Sequence, residues 1–253
     1  MTAPLVLLHA IGLDRGQWPG LAGPQPGGPA VDQPGVLALD LPGHGGQPAG
    51  PAITLGGVAD TVAASIPPGS DVVGLSLGGM VAQHLALRHP GQVRSLVLVC
   101  TRPYASPAEM NQRAAATEQA GMPGVLDETL RRWFTADALA GPDHPGVRYA
   151  ARRLLADDAA VIAAYWRAMA HHDLRRDLRR ITQPVTIVVG RQDVTSSAES
   201  AAEFHRLIPG SQLVTCEGPH LISLERPAGL ARAIHDHLGW AAERERAGGG
   251  AGT

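Results

Sequence analysis

One serine stands between two glycines at a point where the chain is expected to turn sharply. Residues 74–78 read Gly-Leu-Ser-Leu-Gly, with Ser76 at the centre. The apolar run Val72–Leu75 precedes this serine, and a helix-like pattern over Gly79–His89 follows it. A G-x-S-x-G sequence between a strand and a helix is typical of a nucleophile elbow, whose strained turn exposes the hydroxyl. We therefore predict that Ser76 is a nucleophile; the alternative is an ordinary turn serine.

A serine nucleophile needs a general base, and an acid has to orient that base. After an elbow, the acid and then the base are expected at the carboxyl ends of later strands. Asp193 follows the apolar run 184–190, and His220 follows the run 211–218. We predict that Ser76, Asp193 and His220 form a catalytic triad. The alternatives are an Asx turn for Asp193 and loop packing for His220.

Two backbone N–H groups are expected to bind the oxyanion that attack by serine creates. One is the N–H of Leu77, which directly follows the nucleophile. The other should come from the loop after the first strand, "HAIG" at 9–12, where Ile11 is our candidate. His9, in the same loop, either lines the entrance of the site or satisfies backbone groups.

Short Leu- and Val-rich runs bounded by Gly, Pro or Asp alternate with helix-like patterns along the chain. The six runs are 3–10, 35–41, 70–76, 93–100, 184–190 and 211–218. Such near-continuous apolarity suits strands that are buried on both faces, and helical crossovers join parallel strands. The predicted fold class is α/β, a mostly parallel sheet of about six strands flanked by helices.

One long interval carries no convincing strand. Residues 102–180 contain only helix-like patterns, at 106–120, 123–133, 146–156, 158–170 and 173–180. We predict that this interval is a helical cap, inserted between two core segments, 1–101 and 181–242. The Pro- and Gly-rich stretch 19–35 is expected to be a loop, and residues 243–253 a disordered tail.

The composition excludes several classes of protein. The 253 residues are 44% hydrophobic, which is enough for one sizeable core, and the net charge of −2 offers no basic field for nucleic acid or an anionic membrane. All 21 basic residues are arginines, so Schiff-base lysines, a pyridoxal phosphate anchor and a P-loop lysine are excluded. Cys100 and Cys216 have no C-x-x-C spacing and are expected to be reduced thiols.

Neither export, membrane insertion nor metal binding is expected. The N-terminal residues lack a basic segment and the apolar run Leu5–Leu8 is too short for a signal or a span, so the expected location is the cytoplasm. The histidine pairs 171/172 and 235/237 have no accompanying ligand set, so no zinc site is expected. Five histidines are expected on helix surfaces: His84, His89, His205, His235 and His237. The only partner we expect is a small-molecule substrate, and the oligomeric state is left open.

Several stretches between residues 72 and 228 resemble those of α/β-hydrolases, in particular the 3-oxoadipate enol-lactonase group. They are "GLSLGGMVAQHLALRHP", "VRSLVLVCT", "GMPGVLDETLRRWFT", "DLRRDLRRITQPVTIVVGRQD" and "LIPGSQLVTCEGPHLISLERP". The resemblance implies the same Ser76, Asp193, His220 triad, a helical cap and no cofactor. The N-terminal part departs from the group: no room precedes Leu5 for two antiparallel strands, "HAIG" replaces Asn-Ser-Leu-Gly, and Pro42 replaces an arginine.

The resemblance and the triad together predict hydrolysis of a small carboxylic ester or (enol-)lactone through an acyl-serine. Besides His9, the expected pocket residues lie in the cap: Arg132, Trp133, Trp166 and Met169. Arg132 is the candidate partner for a substrate carboxylate. The alternatives are a methylesterase or lactonase for a larger secondary metabolite, a lyase or carbon–carbon bond hydrolase using the same triad, and a ligand receptor. Haloalkane dehalogenase and soluble epoxide hydrolase types are not expected, because they need a carboxylate nucleophile at the elbow, where this chain has Ser76.

Overall fold

Six strands form the centre of the molecule in the computed structural model, which describes residues 3–19, 21, 35–50, 52–141 and 143–249. They are β1 (Leu5–Leu8), β2 (Val36–Leu39), β3 (Ser70–Leu75), β4 (Val93–Val99), β5 (Val185–Gly190) and β6 (Gln212–Cys216). β1, β3 and β5 are buried along their whole length, whereas the outer strands β2 and β6 are mostly half-buried. Each strand lies within one of the six predicted runs.

The strands form one parallel sheet in the order β2-β1-β3-β4-β5-β6. The predicted α/β fold is therefore confirmed, and the described residues add no antiparallel strand before β1. After β1 the chain moves outward to β2, and it then returns across the sheet to β3. The direction of travel thus reverses between β1 and β3, which is where ligand crevices form at the carboxyl ends of open parallel sheets.

The described residues also form nine α-helices, which supply the crossovers and the segment 102–180 that is predicted to be a cap, called the candidate cap below. They are α1 (Leu55–Ser65), α2 (Leu77–Arg88), α3 (Pro107–Trp133), α4 (Ala136–Ala140), α5 (Pro145–Ala156), α6 (Ala159–Ala170), α7 (Ala198–Leu207), α8 (Ile222–Glu225) and α9 (Pro227–Gly249). Most of them begin at a side chain that accepts a backbone N–H; Thr54, for example, accepts from Gly57. α2 coincides closely with the helix pattern predicted over Gly79–His89.

Between β4 and β5 the described residues contain α3 to α6 and no strand of the sheet. The two patterns predicted at 106–120 and 123–133 belong to one helix, α3, which kinks at Gly121 (φ 65°) just before Pro123. α5 and α6 match the next two patterns. The helix predicted over 173–180 is wrong, because only 178–180 form a short 3₁₀ turn.

The chain at Asp173 is held extended by hydrogen bonds to the segment around Tyr104, which explains the missing helix. Tyr104 and Asp173 form an isolated antiparallel bridge. On either side of it, Ala105 N–H donates to His172 O (2.9 Å) and Leu174 N–H donates to Pro103 O (2.9 Å). The chain entering the candidate cap and the chain leaving it therefore run side by side and are hydrogen-bonded together.

The structure covers only parts of the predicted disordered tail, 243–253, and of the predicted loop, 19–35. α9 continues to Gly249, so residues 243–249 are helical and not disordered; their helix is an extension of the amphipathic helix that packs on the sheet. Residues 250–253 lie outside the described part, as do residues 20 and 22–34 of the predicted loop. None of the described helices combines the length and the hydropathy needed to cross a bilayer.

Candidate active site

Ser76 occupies the sharp turn between β3 and α2 that the motif predicted. Its backbone angles, φ 54° and ψ −112°, are those that glycine dominates in tight turns. Three hydrogen bonds hold the strained residue: its N–H donates to Val99 O (2.9 Å), and its carbonyl accepts from Thr101 Oγ1 (2.8 Å) and Met80 N–H (3.0 Å). Strain of this kind persists only where the surroundings over-determine the backbone.

The glycines of the motif are required by close backbone contacts. A Cβ on Gly74 would lie 2.3 Å from Gly78 O, and a Cβ on Gly78 would lie 2.1 Å from Leu8 O. Gly78 N–H also donates to His9 O (3.1 Å). The elbow is therefore packed directly against the end of β1 and the loop that follows it.

Asp193 and His220 meet at the carboxyl ends of β5 and β6, as predicted. His220 Nδ1 lies 3.0 Å from Asp193 Oδ2, and both residues are buried. The other carboxylate oxygen, Oδ1, accepts from Thr195 N–H (2.7 Å), Ser196 N–H (3.0 Å) and Thr195 Oγ1 (2.8 Å). Burial by itself raises the pKa of Asp193, but the facing His220 and these donors outweigh it and hold the pKa below its ordinary value.

Ser76 and His220 line the same small cavity, about 30 Å³ in volume. The strained turn and the imidazole thus border one shared space, which is large enough for a water molecule. Ile11, Met169, Trp133 and Trp166 are also in its wall, together with residues that sequence reasoning did not select: Met80, Cys100, Thr101, Arg102, Met110, Arg113, Thr195 and Ser196.

A second cavity, about 180 Å³, lies beside the first and extends into the candidate cap. We call the cavity lined by Ser76 the inner cavity and this second one the outer cavity. The two cavities share Ile11, Arg113, Trp133 and Trp166. Much of its remaining wall comes from α3, with further apolar contacts from Leu154 and Ile162 on α5 and α6. The predicted pocket residues Trp133 and Trp166 therefore stand between the two cavities, and Met169 lines the inner one.

Ile11 lies in the loop after β1, and the backbone N–H groups of the residues before and after it are both hydrogen-bonded to side chains. Ala10 N–H donates to Gln17 Oε1 (2.7 Å), and Gly12 N–H donates to His44 Nε2 (3.1 Å). Ile11 lines both cavities. Leu77 is the first residue of α2, where backbone N–H groups have no partner within the helix and carry its positive dipole end. Ile11 therefore lies in a hydrogen-bonded loop and Leu77 at a helix N-terminus. That their N–H groups bind the oxyanion stays a prediction.

His9 has the second of its two expected roles and does not line either cavity. Its side chain is fully buried; Nδ1 donates to Ala10 O (2.7 Å), and Nε2 accepts from Leu41 N–H (2.9 Å). Burial lowers its pKa to about 4, so the ring is neutral. The expected pocket role of His9 is corrected to a structural one, because its ring joins the backbone after β1 to the backbone after β2 and lines neither cavity.

His44 has a similar role and was missed at the sequence level. Burial lowers its pKa to about 3, Nε2 accepts from Gly12, and Nδ1 faces Pro42 O (3.3 Å). The hydroxyl of Tyr165 in the candidate cap donates to the same carbonyl (2.7 Å) and its ring contacts His44 edge-on. The stretch "LPGHG" therefore connects the candidate oxyanion loop to the candidate cap. The only available signal was a histidine in a Gly-rich turn, which by itself does not indicate a partner.

Arg132 lines the outer cavity in the candidate cap but not the inner one that contains Ser76. It forms an ion pair with Glu128, and burial lowers its pKa. Arg113 lines both cavities, pairs with Glu109 (2.6 Å), and its guanidinium carbon lies 5.1 Å from the Trp166 ring centroid. Two arginines thus line the cavity that contains Ser76: Arg113, from the first half of α3, and Arg102, from the segment before that helix.

Cys100 completes a cluster whose donor types could hold a metal. Its sulfur, a carboxylate oxygen of Asp193 and a ring nitrogen of His220 lie within 4.8 Å of one another. Burial raises the pKa of the Cys100 thiol well above its usual value, which opposes the thiolate that a metal would require. Asp193 and His220 are also committed to their mutual hydrogen bond, so the cluster fits a triad with a packed thiol better than a metal site.

The histidines expected on helix surfaces are not all exposed. His237 is buried, with Nδ1 2.8 Å from Thr186 Oγ1 of β5, and its pKa is lowered to about 4 by burial. His84 is half-buried and lies 3.3 Å from His172, whose pKa burial lowers to about 4. The expectation was wrong for His237, because its helix turns that residue toward the sheet.

Comparisons with known proteins agree with this architecture. A sequence model described as the alpha/beta hydrolase family matches residues 5–233. A pimeloyl-(acyl-carrier protein) methyl ester esterase of Neisseria meningitidis is 33% identical over 211 residues, covering 78% of this chain and 81% of the relative. The enzyme of the same name from Aromatoleum aromaticum is 33% identical over 250 residues, covering 92% and 96%. The solved enol-lactonase of Burkholderia xenovorans LB400 has a TM-score of 0.84 at 25% identity, covering 94% of this chain and 92% of its own.

The family match spans nearly the whole described chain, and the relatives agree with it in sequence and in fold. The resemblance inferred from the motifs is thereby confirmed, including its likeness to an enol-lactonase. The chain belongs to the α/β-hydrolase family.

Proposed function

We propose that the protein is a serine hydrolase that cleaves a carboxylic ester or lactone through an acyl-serine intermediate. The observation that carries the proposal is the buried Asp193–His220 pair, 3.0 Å apart, whose His220 lines the same cavity as the strained Ser76. The names of the relatives support ester bonds as the target, since they are methyl ester esterases and an enol-lactonase.

The reaction follows from these positions. His220 Nε2 removes the proton from Ser76 Oγ while that oxygen attacks the ester carbonyl. Asp193 Oδ2 accepts the hydrogen bond from Nδ1 and stabilises the imidazolium that forms. The N–H groups of Leu77 and Ile11 bind the oxyanion. His220 then returns the proton to the leaving alcohol, and it activates a water molecule to release the acid from Ser76.

The segment 102–180 acts as the cap in this proposal, and the segments 1–101 and 181–242 are the core. Water exclusion at the reacting carbonyl depends on Trp133 and Trp166, which separate the inner cavity from the outer one. We expect an acyl chain attached at Ser76 to extend toward the outer cavity, whose wall shares Trp133 and Trp166 with the inner one. No metal or organic cofactor takes part.

The outer cavity favours a second, narrower candidate within the same class, a methylesterase for a longer acyl chain. Its volume of about 180 Å³ is about six times that of the inner cavity, and the two cavities share wall residues. A methyl ester places only a one-carbon alcohol on the leaving side, which suits an inner cavity of about 30 Å³. The curated relatives are methyl ester esterases, in agreement with this division.

The experiment compares the wild type with Ser76→Ala and with Ser65→Ala, a matched control on the exposed face of α1. Short-chain p-nitrophenyl esters, a lactone series and methyl esters of increasing acyl length are assayed, with a serine-directed phosphonate. We expect one adduct at Ser76 and a loss of activity of about 10⁴-fold or more in Ser76→Ala only. Unchanged turnover in Ser76→Ala, or an adduct elsewhere, would refute the proposal.

The same substrates distinguish a methylesterase from a lactonase. A rate that rises with acyl length supports the methylesterase, and a preference for lactones supports the lactonase. For substrates with a distal carboxylate, replacing Arg132 with glutamine should raise KM if it binds that group, whereas neutral esters should be unaffected. Arg113→Gln is the matched variant in the wall that the two cavities share.

A further inference from the structure

The turn after β5 uses both oxygens of the Asp193 carboxylate. Oδ1 accepts from three donors that follow within three residues: Thr195 N–H (2.7 Å), Ser196 N–H (3.0 Å) and the Thr195 hydroxyl (2.8 Å). Oδ2 remains for His220 Nδ1 (3.0 Å). The backbone donors already fix the carboxylate in the turn, so the Thr195 hydroxyl is not needed for that purpose.

The Thr195 hydroxyl has a second partner, since Oγ1 lies 2.5 Å from His220 Nδ1. The hydroxyl hydrogen is directed to Asp193 Oδ1, so a lone pair of Oγ1 faces the imidazole. The hydrogen on Nδ1 is then shared between Asp193 Oδ2 and Thr195 Oγ1. With the hydroxyl reversed, Nδ1 would have to be unprotonated, and its lone pair would face the Asp193 carboxylate at 3.0 Å.

We infer that Thr195 is a positioning residue, whose hydroxyl joins Asp193 to His220 and holds the imidazole with its hydrogen on Nδ1 and its lone pair on Nε2. This inference rests on the proposed function, in which Nε2 is the general base for Ser76. Thr195 also lines the inner cavity with His220 and Ser76, so its hydroxyl lies at the site itself. The lone pair on Oγ1 gives the ring a second acceptor when it becomes positively charged.

The side chain suits this role. Threonine is branched at Cβ and strongly restricted at χ1, so its oxygen stays where the two hydrogen bonds require it. The neighbouring residue Val194 is 75% exposed to solvent. Its side chain can therefore be shortened without altering the contact between Asp193 and His220. The other titratable or charged side chains in the wall of the inner cavity, Cys100, Arg102 and Arg113, are retained in every variant of the test.

The test compares Thr195→Val, which has nearly the same shape but no hydroxyl, with Thr195→Ser, which keeps the hydroxyl, and with the control Val194→Ala. kcat and KM are measured with p-nitrophenyl butyrate between pH 5 and 9. We expect Thr195→Val to lower kcat about tenfold or more with KM unchanged, because a hydrogen bond to a charged ring is lost. Thr195→Ser should remain within about threefold of the wild type, and Val194→Ala should match it.

The pH profile separates positioning from a general loss of structure. The acid limb of kcat/KM reports the general base of the free enzyme. In Thr195→Val we expect this limb to move to lower pH, since the imidazolium loses one acceptor while two backbone donors remain on Asp193 Oδ1. If Thr195→Val does not fold, Thr195→Ala is measured in its place.

The inference is overturned if the hydroxyl-free variant equals Thr195→Ser in kcat, or if its acid limb does not move. The failure of the proposed function itself looks different. In that case the phosphonate does not label Ser76 in the wild type, and Ser76→Ala retains activity. Labelling of Ser76 together with wild-type kinetics in Thr195→Val therefore refutes the positioning role alone.

Discussion

Replacing Ser76 with glycine or with alanine separates the strain of the elbow from its chemistry. Both variants lack the hydroxyl, so neither should turn over an ester. They differ in the backbone: alanine keeps the Cβ that disfavours φ 54° and ψ −112°, whereas glycine adopts these angles readily. The Ser76 N–H and carbonyl bonds to Val99, Thr101 and Met80 are available to both variants.

The expected difference in stability follows from two opposing contributions. A non-glycine residue in such a region costs about 1–3 kcal/mol of strain. Ser76→Gly removes this strain, but glycine also gives the unfolded chain more conformational freedom, which lowers the stability by about 0.5–1 kcal/mol. Ser76→Gly should therefore be about 1 kcal/mol more stable than Ser76→Ala, which for a domain of this size raises Tm by about 2–4 °C.

Thermal and urea unfolding of the two variants, each checked for lost esterase activity, measure the difference. A further control is Thr61→Gly, at an exposed position inside α1, where glycine should destabilise. If Ser76→Gly is no more stable than Ser76→Ala, the turn carries no strain energy and our account of the elbow is wrong.

Three further expectations concern the surroundings of the site. Gly78→Ala should destabilise strongly, by about 3 kcal/mol or more, because its Cβ would lie 2.1 Å from a backbone oxygen, whereas Gly91→Ala, with open space around it, should be nearly neutral; equal unfolding midpoints would contradict this. His44→Ala should lower kcat about tenfold with little change in KM, because Gly12 loses its acceptor and the Ile11 loop loosens, and a change confined to KM would count against this role. Stability should fall as the pH drops from 6.5 toward 4, because the buried histidines with lowered pKa values are neutral when folded and take up protons only on unfolding. When the free energy of unfolding, measured by urea titration at each pH, is plotted against pH, its slope should be shallower by about 1.4 kcal/mol per pH unit in His237→Asn. An unchanged slope would show that His237 is not neutral in the folded protein at these pH values.

The strands and the order of the triad were predictable because they depend on local rules. Strands buried on both faces read as continuous apolar runs, and each of the six was found within its predicted run. The carboxyl ends of parallel strands lie at one edge of the sheet, so Asp193 and His220 could be placed together from sequence position alone. The glycines beside Ser76 were informative because a turn this tight excludes larger residues.

The helices of the candidate cap were predictable only in outline. Helical periodicity indicated most of its helices, but it could not distinguish one kinked helix from two, since the break at Gly121 depends on a single residue. It also assigned a helix to 173–180, where a bridge to Tyr104 holds the chain extended. Pairing between segments about seventy residues apart overrides the local pattern there.

The roles of individual side chains were decided by the tertiary structure. His9 and His44 have structural roles because their nitrogens meet amides 32 residues away in sequence, and no spacing rule predicts such a meeting. Thr195 and Arg113 lie at the inner cavity because loops and helices from separate parts of the chain converge there. The sequence by itself determined the strand pattern, the elbow and the order of the candidate triad, because these follow from neighbouring residues and strand ends. Only the tertiary structure decided which polar groups face one another, because hydrogen bonds depend on the distance between atoms and not on their separation along the chain.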